Sequence, residues 1–405
     1  MTEAMDTTAI QGLKTPFYLY DDQLLQQTLD TLNDQLQQHP DYHVHYAVKA
    51  NANPLLLRII QQAGLGVDCV SGGELQRAIR CGFAPESIVF AGVGKTDEEI
   101  NLALQYGIAC LNVESEPELE TIQDLAEAQG KTIGICLRIN PNVGAHTHAN
   151  ITTGLAENKF GIAMEDMERL ALEAQHMPNV SFLGLHFHIG SQILDMQDFA
   201  DLCKRINELQ TQLEMAGIYP RVINVGGGLG IDYAQPRENP IPDFKAYFDT
   251  YAHYLQLRPG QSLHFELGRA IVAQCGSLIT RVTFVKQARH KQFVIVDAGM
   301  NDLIRPALYQ AYHATENISA THNLRLKDQL APVTQWETYD VVGPVCESSD
   351  VFVYDATLPT TRRGDFIALR SAGAYGEIMA SQYNCRPLAK VYTVSQLEQS
   401  LHEAE

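Results

Sequence analysis

Between residues 43 and 270 the chain repeats one pattern eight times: a short β-rich run, then a longer amphipathic stretch. The runs are HVHYAVK (43–49), LGVDCV (65–70), SIVFAG (87–92), IACLNV (108–113), TIGICLRI (132–139), VSFLGLHFHI (180–189), RVINVG (221–226) and SLHFEL (262–267). Between them lie helical patterns such as PLLLRIIQQAG, GELQRAIRCG and TDEEINLALQYG, each ending on a glycine suited to a left-handed C-cap. Strands separated by helices pair in parallel, because a parallel neighbour is reached only through a crossover. Eight such units fit a (β/α)8 TIM barrel, whose usual size is about 250 residues. An open doubly wound sheet would show the same alternation.

After about residue 280 the texture changes. VTFVKQ, QFVIVDAG, TYDVVGP, DVFVYDATLP, DFIALRSAG and AKVYTV are strands separated by turn residues, which reads as an all-β C-terminal domain. KTPFYLYD (14–21) is another strand; with eight barrel places already filled, it is expected to pair with that domain. The organisation is a barrel over 35–280 and a β-rich domain from 1–34 plus 281–405.

Composition narrows the function. A hydrophobic content of 45% with 19% charged residues is that of a globular chain with a substantial core. A net charge of −19 argues against nucleic acid, since neutralising phosphates needs clustered Lys and Arg. No run approaches the roughly 18 apolar residues of a membrane span. The first 20 residues lack a basic start followed by an apolar core, and the eight cysteines form no CxxC pair. Reduced thiols in the cytoplasm are the simplest expectation.

In a barrel, chemistry gathers at the C-terminal strand ends. Here those ends carry Lys49, Asp68 with Ser71, Arg138 with Asn140, His186 with His188, GGGLG (226–230), and Glu266 with Arg269. A lysine after Ala47 and Val48 either has its proton affinity lowered, as a Schiff-base nucleophile needs, or opens a solvated loop. The glycine run either cradles a phosphate or makes a tight turn; it lacks the context of a dinucleotide fingerprint. His186 and His188 share a strand face, where they could ligate zinc, pack in the core, or lie against a flat cofactor. Glu266 could hold a protonated ring nitrogen and Arg269 a substrate carboxylate, or the two could close the rim as a salt bridge. In the β-rich half, GMNDLIRPALYQAYH (299–313), GPVCESSD (343–350) and GAYGEIMASQYN (373–384) place polar residues in glycine-flanked loops.

Together, YAVKANAN, HFHIGSQI, NVGGGLGIDY, ELGR, GMNDLIRPALY, GPVCESSD and GAYG resemble the diaminopimelate decarboxylases, within the alanine-racemase-like (fold type III) pyridoxal phosphate enzymes; the matching stretches run from 46 to 376. The resemblance implies pyridoxal 5'-phosphate as cofactor and conversion of meso-2,6-diaminopimelate to L-lysine and CO2. It implies that Lys49 forms the Schiff base, that His188 lies against the pyridine, and that Ser191 and the amides of Gly227, Gly228 and Gly230 hold the phosphate. Asp68, Gly268, Arg269 and Tyr375 would make further cofactor contacts, and Glu266 would keep the ring nitrogen protonated. Arg269, Arg305, Tyr309, Glu347 and Tyr375 would bind substrate, with Cys346 as proton donor; Cys346 and Glu347 would come from the second subunit of a homodimer with shared active sites. No metal is implied. The family's EPGR stands here as ELGR, so Leu267 replaces a proline that would stiffen the turn carrying Arg269. Ornithine, arginine and carboxynorspermidine decarboxylases share the lysine and the glutamate; ENKFGI (157–162) with RPALY and CESSD favours diaminopimelate. The alternative of another class is a metal-dependent barrel hydrolase built on the HxH pair.

Overall fold

The computed structural model describes residues 8–144, 159–321 and 335–402. Glu157 and Asn158 of ENKFGI, together with His146 and His148, lie outside the described residues. The chain forms two compact units: Leu29–Gly230 with Pro242–Ile271, and Met1–Thr28 with Ile231–Ile241 and Val272–Glu405.

The first unit is a closed barrel of eight parallel strands. These are β2 (Tyr42–Ala47), β3 (Gly66–Cys69), β4 (Ile88–Phe90), β5 (Cys110–Val113), β6 (Ile133–Arg138), β7 (Val180–His186), β8 (Val222–Asn224) and β9 (Ser262–Leu267), numbered after β1 (Phe17–Tyr20) of the other unit. Each expected run supplies one strand. Closure is direct: β9 pairs with β2 from Tyr42↔Leu263 to Tyr46↔Leu267, which rules out the open sheet. Strands covered on both faces need continuous apolar character, and β4 and β5 are buried at every position. The β7–β8 approach depends on Gly184, where a Cβ would fall 1.9 Å from the Val222 carbonyl oxygen.

The second unit is an eight-stranded mixed sheet. Its strands are β1, β10 (Gly276–Gln287), β11 (Gln292–Val296), β12 (Thr315–Asn317), β13 (Trp336–Val342), β14 (Val351–Pro359), β15 (Phe366–Leu369) and β16 (Lys390–Thr393). As expected, the 17–20 strand joins this sheet, antiparallel to β10 and parallel to β16. Phe17, Leu19, Ile279, Phe366 and Val394 share one buried cluster there. Two elements lie outside the expected runs: β12 is only Thr-Glu-Asn, and a helix follows β16 over Val394–His402. No helix among the described residues is long and apolar enough to cross a membrane.

Candidate active site in the barrel

Strand β2 stops at Ala47, and Val48–Ala50 form a single 3-10 turn that carries Lys49. The asparagines explain the stop. The Asn51 Oδ1 accepts from the Asn53 N–H at 2.9 Å, and the Asn53 Oδ1 accepts from the Leu55 N–H at 3.0 Å, capping the helix Pro54–Gln62. Lys49 is therefore pinned between a buried strand and a capped helix, with Nζ 3.3 Å from the Asp68 Oδ2. The Asp68 side chain is fully buried while that of Lys49 is 38% exposed. Burial, helped by the Glu266 charge and opposed by Lys49, pushes the Asp68 carboxyl up to about 8, so it gains and loses a proton near neutral pH.

Glu266 does not close the rim with Arg269; it points into the barrel. Its Oε1 accepts from the Asn224 side chain at 2.8 Å and from Asn112 at 3.1 Å, and its Oε2 lies 3.0 Å from the His186 Nε2. Three strands thus converge on one carboxylate. Burial by itself would raise its pKa, but the charge and hydrogen bond of His186, with Lys49 adding to them, prevail and hold it below the ordinary carboxylate range. An ionised carboxylate offers about four acceptor positions, of which the protein fills three.

The two histidines of HFH part company. β7 ends at His186, so His188 lies beyond the strand. The His188 Nδ1 accepts from the Gly227 N–H at 3.2 Å, and loss of water together with the nearby Lys49 and Arg138 charges lowers its pKa well below the ordinary value. It is a neutral ring that carries its hydrogen on Nε2. His186 is thus turned to Glu266, and the His188 Nδ1 is taken by an amide.

The glycine run is a shaped loop. Gly226 and Gly228 have φ of 66° and 119°, and a Cβ on Gly227 would lie 2.1 Å from the Glu266 carbonyl oxygen. The Gly230 N–H donates to the Ile193 carbonyl at 2.9 Å. Arg269 donates to the Ser191 Oγ at 3.0 Å, joining the loop after β7 to the segment after β9. Gly268 lets that segment approach the lysine turn, since its Cβ would lie 2.9 Å from the Ala50 Cβ. Leu267 remains in register with Tyr46, so the ladder continues through the position where the family has proline.

The family described as "Pyridoxal-dependent decarboxylase, pyridoxal binding domain" matches residues 25–273. A diaminopimelate decarboxylase of Bacteroides thetaiotaomicron is 63% identical over 385 residues, spanning 95% of this chain and 97% of that protein. The chain belongs to the diaminopimelate decarboxylases. Among solved structures of these decarboxylases, the Helicobacter pylori enzyme complexed with L-lysine superposes with a TM-score of 0.87 at 39% identity, covering 98% of this chain and 99% of that one. The M. jannaschii enzyme in co-complex with L-lysine gives 0.85 at 33% identity, covering 95% and 88%.

The barrel residues suit the pyridoxal phosphate of such a decarboxylase. They offer a primary amine at Lys49, an ionised carboxylate with acceptor capacity left, a neutral flat imidazole, and hydroxyl and amide donors at Ser191 and Gly228. The Asp68 Oδ1 is buried without a partner among the described residues, a further acceptor at the lysine end.

The other expected residues lie in the β-rich unit. Arg305 and Tyr309 begin and end one short helix. Cys346 and Glu347 are exposed on the loop between β13 and β14, with Glu347 accepting from the Tyr383 hydroxyl at 2.7 Å. Asp350 ties that loop to the one before Arg305: its carboxylate accepts from the Met300 and Val345 N–H groups, each at 2.6 Å. Tyr375 has φ of 57°, a left-handed conformation costly for a tyrosine and common at working sites. Sequence reasoning missed Asn112, Asn224 and the role of His186. The available signal was a polar residue inside an otherwise apolar run, in IACLNV and RVINVG.

Proposed function

We propose that this chain removes CO2 from the D-configured carbon of meso-2,6-diaminopimelate and leaves L-lysine, the last step of lysine biosynthesis. The Cα–carboxylate bond breaks, CO2 departs, and one proton takes its place on that carbon. Pyridoxal phosphate, when bound, takes up the electron pair left at Cα. The observation that carries this reading is the buried, ionised Glu266: its remaining acceptor position can hold a proton on a ring nitrogen.

Lys49 supplies the amine that holds the cofactor, and Asp68 exchanges protons with it. His188 would offer the pyridine ring a neutral surface. The Ser191 hydroxyl and the Gly228 amide are the phosphate donors, while Gly227, Gly230 and Gly268 shape the loops and Arg269 orients Ser191. Arg305 takes the substrate's distal carboxylate, and Tyr309, Tyr375 and Glu347 complete the binding of its amine end. Cys346 delivers the proton to Cα. The exposure of Cys346 and Glu347 in the single chain supports their use by a second subunit, in a cytoplasmic homodimer whose partner molecule is an amino acid and not nucleic acid or membrane. Eight free cysteines, six of them buried, suit a reducing compartment.

The test is CO2 release by purified protein with pyridoxal phosphate from meso-diaminopimelate, ornithine, arginine and D-lysine. Turnover of the first is expected; turnover of another with none of the first refutes the substrate. Lys49→Ala is expected to keep the fold and lose both activity and the borohydride-reducible cofactor link.

A further inference from the structure

Arg305 is buried in the β-rich unit, and its surroundings are more specific than a carboxylate grip requires. Its Nη1 lies 2.9 Å from the His313 Nε2, and its guanidinium stands over the Tyr233 ring at 4.9 Å from the centroid. His313 is fully buried, with Nδ1 2.7 Å from the Arg370 carbonyl oxygen. A carbonyl can only accept, so Nδ1 carries the hydrogen and Nε2 is a bare lone pair; the Arg305 bond must run from guanidinium to imidazole. This acceptor of Arg305 is thus neutral, and its bond holds the guanidinium without placing a negative charge on it. A carboxylate in that place would fix it too, but would compete with a bound anion.

The imidazole is itself held firmly. The Arg370 N–H donates to the Ala314 carbonyl at 2.8 Å, beside the β12–β15 pair Thr315↔Leu369. The Tyr233 ring meets His313 edge-on at 5.3 Å. Tyr233 belongs to the 231–241 excursion, which returns to this unit and whose Arg237 shares Glu316 with Arg370, at 2.7 and 2.6 Å.

We infer that His313 is a positioning residue for substrate recognition: with Tyr233 it sets the Arg305 guanidinium in the orientation that takes the carboxylate remaining on the product. This rests on the reading of Arg305 as the carboxylate binder. The experiment compares holoenzymes of the wild type, His313→Leu, His313→Gln, Tyr233→Leu and Arg305→Ala. In His313→Leu the KM for diaminopimelate is expected to rise about tenfold with kcat changed less than about threefold, and His313→Gln, which keeps a donor and an acceptor, recovers most of it. Inhibition by L-lysine weakens in parallel, while inhibition by 1,5-diaminopentane, which lacks the carboxylate, is unchanged. Equal weakening of both inhibitors marks a general structural role and overturns the inference, as does a wild-type KM in His313→Leu when Arg305→Ala raises it. An unchanged KM in Arg305→Ala refutes the binder itself and the inference with it. If His313→Leu takes up no cofactor, Tyr233→Leu decides: a lysine-selective loss supports the inference and none overturns it.

Discussion

At the scale of single residues, two buried carboxylates in one barrel have opposite fates. Among the described residues the Asp68 carboxylate is bonded by Lys49, and burial wins; Glu266 is bonded by Asn112, His186 and Asn224, and the favourable contacts outweigh burial. The difference gives each its own prediction. The Asp68 carboxyl titrates near 8 in the folded protein against about 4 unfolded, so the folded state binds the extra proton and stability falls as pH rises through that window. Asp68→Asn lacks this group: between pH 5 and pH 8.5 the Tm of the cofactor-free variant is expected to fall less than that of the wild type, and parallel Tm curves would refute the assignment. Glu266→Gln keeps the shape but cannot hold a ring proton by charge. It is expected to lower kcat by about a hundredfold or more while cofactor content, read from absorbance, stays near stoichiometric.

At the scale of elements, the loop after β8 is fixed by backbone contact. Gly227 lies against the carbonyl of Glu266 on β9, so an added methyl group must move either the phosphate loop or the strand carrying the ring carboxylate. Gly227→Ala is expected to cost about 3 kcal/mol or more and to lower the Tm by several degrees with reduced cofactor retention. A variant that melts and loads like the wild type would show that the loop can yield. The same contact shows how far local reading reaches. GGGLG announced a tight turn next to a strand, but which amides remain for a ligand depended on two acceptors distant in sequence, Ile193 and His188.

At the scale of the whole molecule, the exposed Cys346–Glu347 tip makes the assembly testable. If one subunit's Cys346 serves its partner's Lys49, mixing equal amounts of inactive Lys49→Ala and slowed Cys346→Ala restores one of the two sites in each mixed dimer, about a quarter of all sites by random pairing. Activity equal to that of the Cys346→Ala fraction alone would mean that each subunit completes its own site.

The sequence alone determined the eight barrel strands, the closing lysine turn with its asparagine caps, the β-rich half and the motif residues, because periodicity, turn chemistry and short motifs are local properties of the chain. Only the tertiary structure decided that the sheet closes, that Glu266 turns inward to Asn112, His186 and Asn224, that His188 and His186 face different partners, and that 231–241 returns to the β-rich unit to place Tyr233 under Arg305. Those outcomes depend on which buried donor meets which acceptor across the fold. Side chains far apart in the chain must satisfy one another once water is gone, and no local pattern records that pairing.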